Sequence, residues 1–168
     1  MKKKLVFIAV GTHPQQFNRL LQEADRIAER TKNARFFAQS GASDYIPKNF
    51  PSKKALGLEE FDAWMRKADA VISHGGEGVI GRALQLGKPL IMVPRLESFG
   101  EHTNDHQLEL VEAVSKAKKI PAILDIQNLQ KAVEKALEEK KKPARKSSPT
   151  KIIKILGNYF KKEFKAVF

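Results

Sequence analysis

The chain has 168 residues, 42% of them hydrophobic and 30% charged, with no cysteine and a formal net charge of +12. This length suits one domain with a real core, and the lack of cysteine excludes a disulfide framework, a thiolate zinc site and a cysteine nucleophile. No run of about 18 apolar residues is present to cross a bilayer, and the stretch after Met1-Lys2-Lys3-Lys4 is too short for a signal peptide, so a cytoplasmic location is expected.

Taken in chain order, Leu5 to Val10 is a short apolar run ending at Gly11-Thr12, the form of a buried parallel strand. Asn18 to Arg30 carries Leu20, Leu21, Ala24, Ile27 and Ala28 at helical spacing, and Ala34 to Ala38 reads as a second strand. Lys54 to Leu58 reads as a weak third strand, and Glu59 to Ala68 as a helix with Phe61, Trp64 and Met65 on one side. Ala70 to Ser73 is a strand running into His74-Gly75-Gly76, and Val79 to Leu86 a helix stopped by Gly87 with Pro89 beyond. Leu90 to Val93 is another strand, followed by a loop to about Glu101 and a helix from Asp105 to about Lys118. Ala122 to Leu124 reads as a last short strand, and Leu129 to Glu139 as a further helix.

Strands alternating with helices predict an α/β fold, a doubly wound parallel sheet covered on both faces. Residues 1–139 form the expected Rossmann-like domain, 140–150 a basic linker rich in Lys, Pro and Ser. Residues 151–168 form an amphipathic helix with Ile152, Ile155, Leu156, Tyr159, Phe160 and Phe164 against a lysine face. The charge follows this division: 140–168 hold ten Lys/Arg against Glu163 alone, whereas 1–139 hold 21 against 18 acids. Nucleic-acid binding domains more often spread basic residues over a folded face among aromatics, so no nucleic-acid partner is expected.

In a doubly wound fold, ligands bind outside the carboxyl ends of the strands. Three loops there carry unusual residues. His74-Gly75-Gly76 lets backbone N–H groups approach an anion at a helix N-terminus, an arrangement that fits a diphosphate; a tight turn is the plainer reading. No Gly-x-x-x-x-Gly-Lys-Ser/Thr is present, nor a Gly-x-Gly-x-x-Gly after the first strand, so neither a P-loop nor a dinucleotide fold is indicated. His102 and His106 stand four apart, but His102 is expected to precede the helix, which disfavours a metal pair. Asp105 and Gln107 suit the adjacent hydroxyls of a polyol, with an N-cap at Asn104 or Asp105 compatible with that. Gly11-Thr12-His13 offers N–H groups and a hydroxyl to phosphate, and His13 is the candidate acid or base, against the plainer reading of a solvated loop histidine.

Val10-Gly11-Thr12-His13, Ile72-Ser73-His74-Gly75-Gly76, Gly87-Lys88-Pro89 to Pro94-Arg95, and Gly100-Glu101-His102 to Asp105-His106-Gln107 occur in this order. Together they resemble the C-terminal domain of family 28 glycosyltransferases, and more closely the stand-alone small subunits of split exopolysaccharide and dolichol-type transferases. The resemblance implies the C-terminal half of a GT-B fold and the donor-binding catalytic subunit of a two-component inverting enzyme. It implies a UDP-sugar donor, with Gly11 and Thr12 bordering the phosphates. His74, Gly75 and Gly76 would hold the diphosphate, Asp105, His106 and Gln107 would face the sugar, and Leu56 to Leu58 would lie beside the base. No metal is implied, since the helix end replaces it. Where much of the family has a ribose-binding acid, five positions before Gly87, this chain has Arg82, so ribose recognition is expected to differ, with Glu77 the substitute.

A complete GT-B enzyme has two such domains, so the resemblance also implies a membrane-anchored partner subunit supplying the acceptor-binding half. The acceptor would be a lipid-linked saccharide, with peripheral membrane association at the cytoplasmic face through the partner or the basic C-terminal helix. Competing readings are a non-catalytic nucleotide-sugar-binding or regulatory subunit and a one-chain sugar-nucleotide epimerase.

Overall fold

The computed structural model describes residues 3–139. The basic linker and amphipathic helix expected at 140–168 lie outside the described residues.

Five parallel strands form one sheet: β1 (Lys4–Ala9), β2 (Ala34–Gln39), β3 (Ser52–Lys53), β4 (Ala70–Ser73) and β5 (Leu90–Met92), in the order β3-β2-β1-β4-β5. Among the described residues five α-helices flank them: α1 (Asn18–Arg30), α2 (Leu58–Lys67), α3 (Glu77–Gln85), α4 (His106–Lys118) and α5 (Leu129–Glu138). Alternation along β1 shows why the sheet is covered twice. Val6, Ile8 and Val10 point into one apolar cluster with Leu20, Leu21 and Ile27 of α1 and Leu129 and Val133 of α5. Leu5, Phe7 and Ala9 point into the other, with Met65 of α2, Ile80 and Ala83 of α3 and Val111 of α4. A strand buried on both faces reads as a continuous apolar run, as β1 does. The second cluster is pinned by aromatic contacts, with Phe37 stacked on Trp64 at 3.8 Å and Phe7 edge-on to Phe61 at 5.4 Å.

Two strand expectations are corrected. The third strand is Ser52–Lys53, not Lys54 to Leu58. The Lys53 and Lys54 carbonyls go on to accept from the N–H groups of Ser40 and Gly41, beyond the end of β2. Leu56 instead packs against the second cluster, and Leu58 opens α2 at 92% exposure. The segment Ala122 to Leu124 contributes a single parallel bridge, Met92 to Ala122, rather than a strand. Helix α3 starts at Glu77, two residues before the position read from the sequence, because Gly76 is extended and makes the N-cap. Its far end closes with Gly87 N–H on the Leu84 carbonyl and Lys88 N–H on the Ala83 carbonyl, the paired bonds of a Schellman motif.

β1 lies between β2 and β4, and the chain leaves β1 in one direction and β4 in the other. The crevice outside their carboxyl ends is the switch point of the sheet. Among the described residues no helix is long and apolar enough to cross a membrane.

Candidate functional site

The floor of the crevice is made where β1 and β4 end. The Ala9 carbonyl accepts both the backbone N–H of His74 at 3.1 Å and the His74 imidazole Nδ1 at 3.0 Å. A carbonyl can only accept, so Nδ1 carries the proton and Nε2 holds a lone pair. Burial drives the His74 pKa down to about 4; the Ala9 bond opposes this, and Arg95, His13 and His102 add to the shift. His74 is therefore a neutral imidazole at pH 7.

The ring fills the space that glycine leaves. A Cβ on Gly11 would lie 2.6 Å from His74 Nε2, and a Cβ on Gly76 2.3 Å from the same atom, so any side chain at either position displaces the ring. Gly75, between them in sequence, has φ +95°, and a Cβ there would meet Val111 at 2.4 Å. Its N–H donates to Ser73 Oγ at 3.0 Å, so Gly75 serves the turn. The donors that α3 offers are those of its first turn. Ile80 N–H bonds the Gly76 carbonyl and, among the described residues, no side chain caps the helix, which leaves the N–H groups of its first turn without intrahelical acceptors. Their partial positive charge faces the crevice. Glu77 is the first residue of this turn.

The opposite wall is the loop from Val10 to Phe17. Gln39, at the end of β2, holds Gly11 from both sides, with Oε1 accepting from its N–H at 3.2 Å and Nε2 donating to its carbonyl at 2.9 Å. Thr12 is exposed. His13 is half-buried and stacks on His102 with ring centroids 4.4 Å apart. Burial, then His102, then Arg95 lower the His13 pKa below the ordinary histidine value. Among the described residues neither its buried Nδ1 nor the buried Gln15 Oε1 meets a partner in hydrogen-bond geometry.

The third wall is the segment from Pro94 to Gln107. α4 begins at His106, so His102 lies outside it and cannot form an i, i+4 pair on the helix. Asp105 Oδ1 accepts from Glu97 N–H at 3.1 Å, and Gln107 Oε1 accepts from Arg95 N–H at 3.0 Å while its stem lies under Gly75. Thus Gln107 reaches both the glycine turn and the neighbouring loop, and Asp105 is engaged in shaping its own segment. The side chain of His106 lies outside the described residues. Among the described residues no group of three or more His, Cys, Asp or Glu gathers as if for a metal ion.

Sequence reasoning did not assign roles to the charges that support these walls. Arg95 is completely buried. Its Nη1 donates to the carbonyls of Gln15, Gln16 and Glu101 at 2.9, 3.0 and 3.0 Å, and its Nη2 to that of Val10 at 2.7 Å. Glu101 is also completely buried and receives Arg19 in a two-pronged contact at 2.9 and 2.8 Å. In the sequence Arg95 follows the apolar strand Leu90 to Val93 and Glu101 precedes the helix expected from Asp105, with nothing local to join them. Arg82, five positions before Gly87, is ion-paired with Asp62 of α2, which also receives Arg66.

A sequence profile of the glycosyltransferase family 28 C-terminal domain matches residues 5–163. The chain is 29% identical over 156 residues to the UDP-N-acetylglucosamine--N-acetylmuramyl-(pentapeptide) pyrophosphoryl-undecaprenol N-acetylglucosamine transferase of Pseudothermotoga lettingae, covering 90% of this chain and 45% of that protein. It is 30% identical over 123 residues to the human UDP-N-acetylglucosamine transferase subunit ALG13, covering 67% of this chain and 10% of that one. This chain therefore spans less than half the length of either curated relative. Among solved structures, the glycosyltransferase of kitacinnamycin superposes with TM-score 0.64 at 18% identity, over 94% of this chain and 38% of that one. The solution structure of ALG13 superposes with TM-score 0.57 at 16% identity, over 92% of this chain and 94% of that one. These two likenesses show the shared fold, the Rossmann-like half of a GT-B architecture. With the profile running across all three walls of the crevice, the chain belongs to the glycosyltransferase family 28 C-terminal domain family.

Proposed function

We propose that this chain is the donor-binding catalytic subunit of a two-component inverting glycosyltransferase. It transfers a sugar from a UDP-sugar to a lipid-linked saccharide at the cytoplasmic face of a membrane, with a membrane-anchored partner supplying the acceptor-binding half. The observation that carries this reading is the uncapped first turn of α3 opening on a crevice where Gly11 and Gly76 leave room for nothing larger than hydrogen. Support for the substrate class comes from the two curated relatives, a UDP-N-acetylglucosamine transferase of a pyrophosphoryl-undecaprenol acceptor and a UDP-N-acetylglucosamine transferase subunit.

In this reading the diphosphate lies across Gly76 and the N-terminus of α3, whose N–H groups stabilise the charge that develops as the diphosphate leaves C1. No metal ion is needed for that step. His74, Gly75 and Gly76 hold the diphosphate there, with the neutral His74 ring, which donates Nδ1–H to Ala9, forming the wall that sets the width of the crevice. Gln107 and Asp105 face the sugar, and Gly11 and Thr12 border the phosphates. His13, kept neutral by its surroundings, is the candidate base for the acceptor hydroxyl.

Calorimetric titration of UDP and UDP-sugars without added metal tests this. Binding that is retained in chelator and lost in Gly76→Asp, with the variant's thermal unfolding unchanged, supports the reading. Equal binding by the variant, or no binding of any UDP species by the chain together with its co-expressed partner, contradicts it.

A further inference from the structure

The loop from Val10 to Gln16 carries Gly11, Thr12 and His13, and both its ends converge on one side chain. The Val10 carbonyl enters the Arg95 guanidinium on Nη2 and the Gln15 and Gln16 carbonyls enter on Nη1. The same Nη1 takes the Glu101 carbonyl, and the Arg95 backbone N–H takes Gln107 Oε1. One residue thus joins the walls that follow β1 and β5, which are about eighty positions apart in sequence. The Phe17 ring lies 4.9 Å from the guanidinium carbon and closes it off from solvent. Glu101 offsets the Arg95 charge only in part and makes no side-chain hydrogen bond to it, its two oxygens going to Arg19. A charge buried among carbonyl dipoles costs desolvation and is weak evidence for stability, which points to a positional role.

We infer that Arg95 is the positioning residue of the site: its guanidinium closes the 10–16 loop on itself and docks the 95–107 segment against it, so that Gly11, His13 and Gln107 are presented together to a nucleoside diphosphate. The consequence for ligand rests on the proposed donor site; the geometry does not. A lysine would supply the charge but not the planar fork that reaches four carbonyls.

The test compares Arg95→Lys, Arg95→Met and Val133→Ala in the full chain, the last being a buried change on α5 remote from the crevice. Two readouts are taken. UDP affinity falls by about tenfold or more in both Arg95 variants and holds in Val133→Ala even where the thermal stabilities match. Histidine titration by NMR, on ligand-free protein, reports the field. Burial in this loop, His102 and Arg95 hold the His13 pKa down, so both Arg95 variants, which release the loop, raise it, while Val133→Ala leaves it in place. UDP affinity in Arg95→Lys equal to wild type, an equal loss in Val133→Ala, or an unmoved His13 in Arg95→Met overturns the inference. If wild type binds no UDP, the donor reading fails, and the His13 titration alone decides the role of Arg95.

Discussion

The two sides of the crevice are built by opposite means. On the β4–α3 side, side chains are removed: Gly75 and Gly76 leave backbone and one neutral imidazole at the surface. On the β1–β5 side, charged side chains are buried: Arg95 and Glu101 have no exposure, and Arg19 stands between the rings of Phe17 and Phe99. The difference follows from what each side must do. Backbone N–H groups can reach an anion closely only where nothing projects, and a loop of irregular backbone keeps its shape only where its carbonyls find fixed donors. One side is made for contact, the other for holding still.

The comparison breaks most visibly at Glu101. Glu101→Ala strands Arg19 in a buried setting and removes the acceptor of Leu96 N–H, so stability falls by about 4 kcal/mol. Chemical denaturation checks this, and a loss below about 1 kcal/mol would show that the pair is solvated rather than structural. On the opposite side, Gly75→Ala meets Val111 and holds a left-handed φ, which costs about 3 kcal/mol. The same measurement decides it, and a neutral result would mean that the turn relaxes freely.

The neutral imidazole adds a pH signature. His74 titrates at about 4 in the fold and near 6.5 when unfolded, so the unfolded chain takes up its proton first. Its contribution is present above pH 6.5 and is lost as the pH falls towards 4, by about 2 kcal/mol once its remaining solvent contact is allowed for. Thermal unfolding from pH 7.5 to 4.5 should slope in wild type and flatten in His74→Gln; an unchanged slope would place the titration elsewhere. The smallest effect is expected at the half-exposed Asp62, whose pairs with Arg66 and Arg82 sit at the surface. Asp62→Asn should lower Tm only slightly, with the difference vanishing in high salt. A large loss would mean that the Arg82 pair locks α2 to α3.

Legibility in the sequence divides along the same line. The glycine side could be read, because a strand running into His74-Gly75-Gly76 and a helix carries its geometry within a few neighbouring residues. The parallel sheet could be read for the same reason: Leu5 to Val10 is apolar on both faces, and α1 shows its buried stripe. The charged side could not. Arg19 looks like one more polar position on an amphipathic helix, and the partners that bury it, Glu101 and Phe99, lie about eighty residues away. Asp25 was hidden likewise; it is buried, yet it accepts from the N–H groups of Lys48 and Asn49 and from Tyr45, pinning a loop with no periodic signal. The third strand was misplaced because its two residues are defined by the strand beside them, not by their own composition.

The most direct test is a UDP titration of the ¹⁵N-labelled chain followed by backbone amide resonances, without metal. The account predicts saturable shifts centred on Gly11, Gly76, Glu77 and Gly78, on both lips of the crevice. Shifts confined to other surfaces, with these four amides unmoved at saturation, would contradict it.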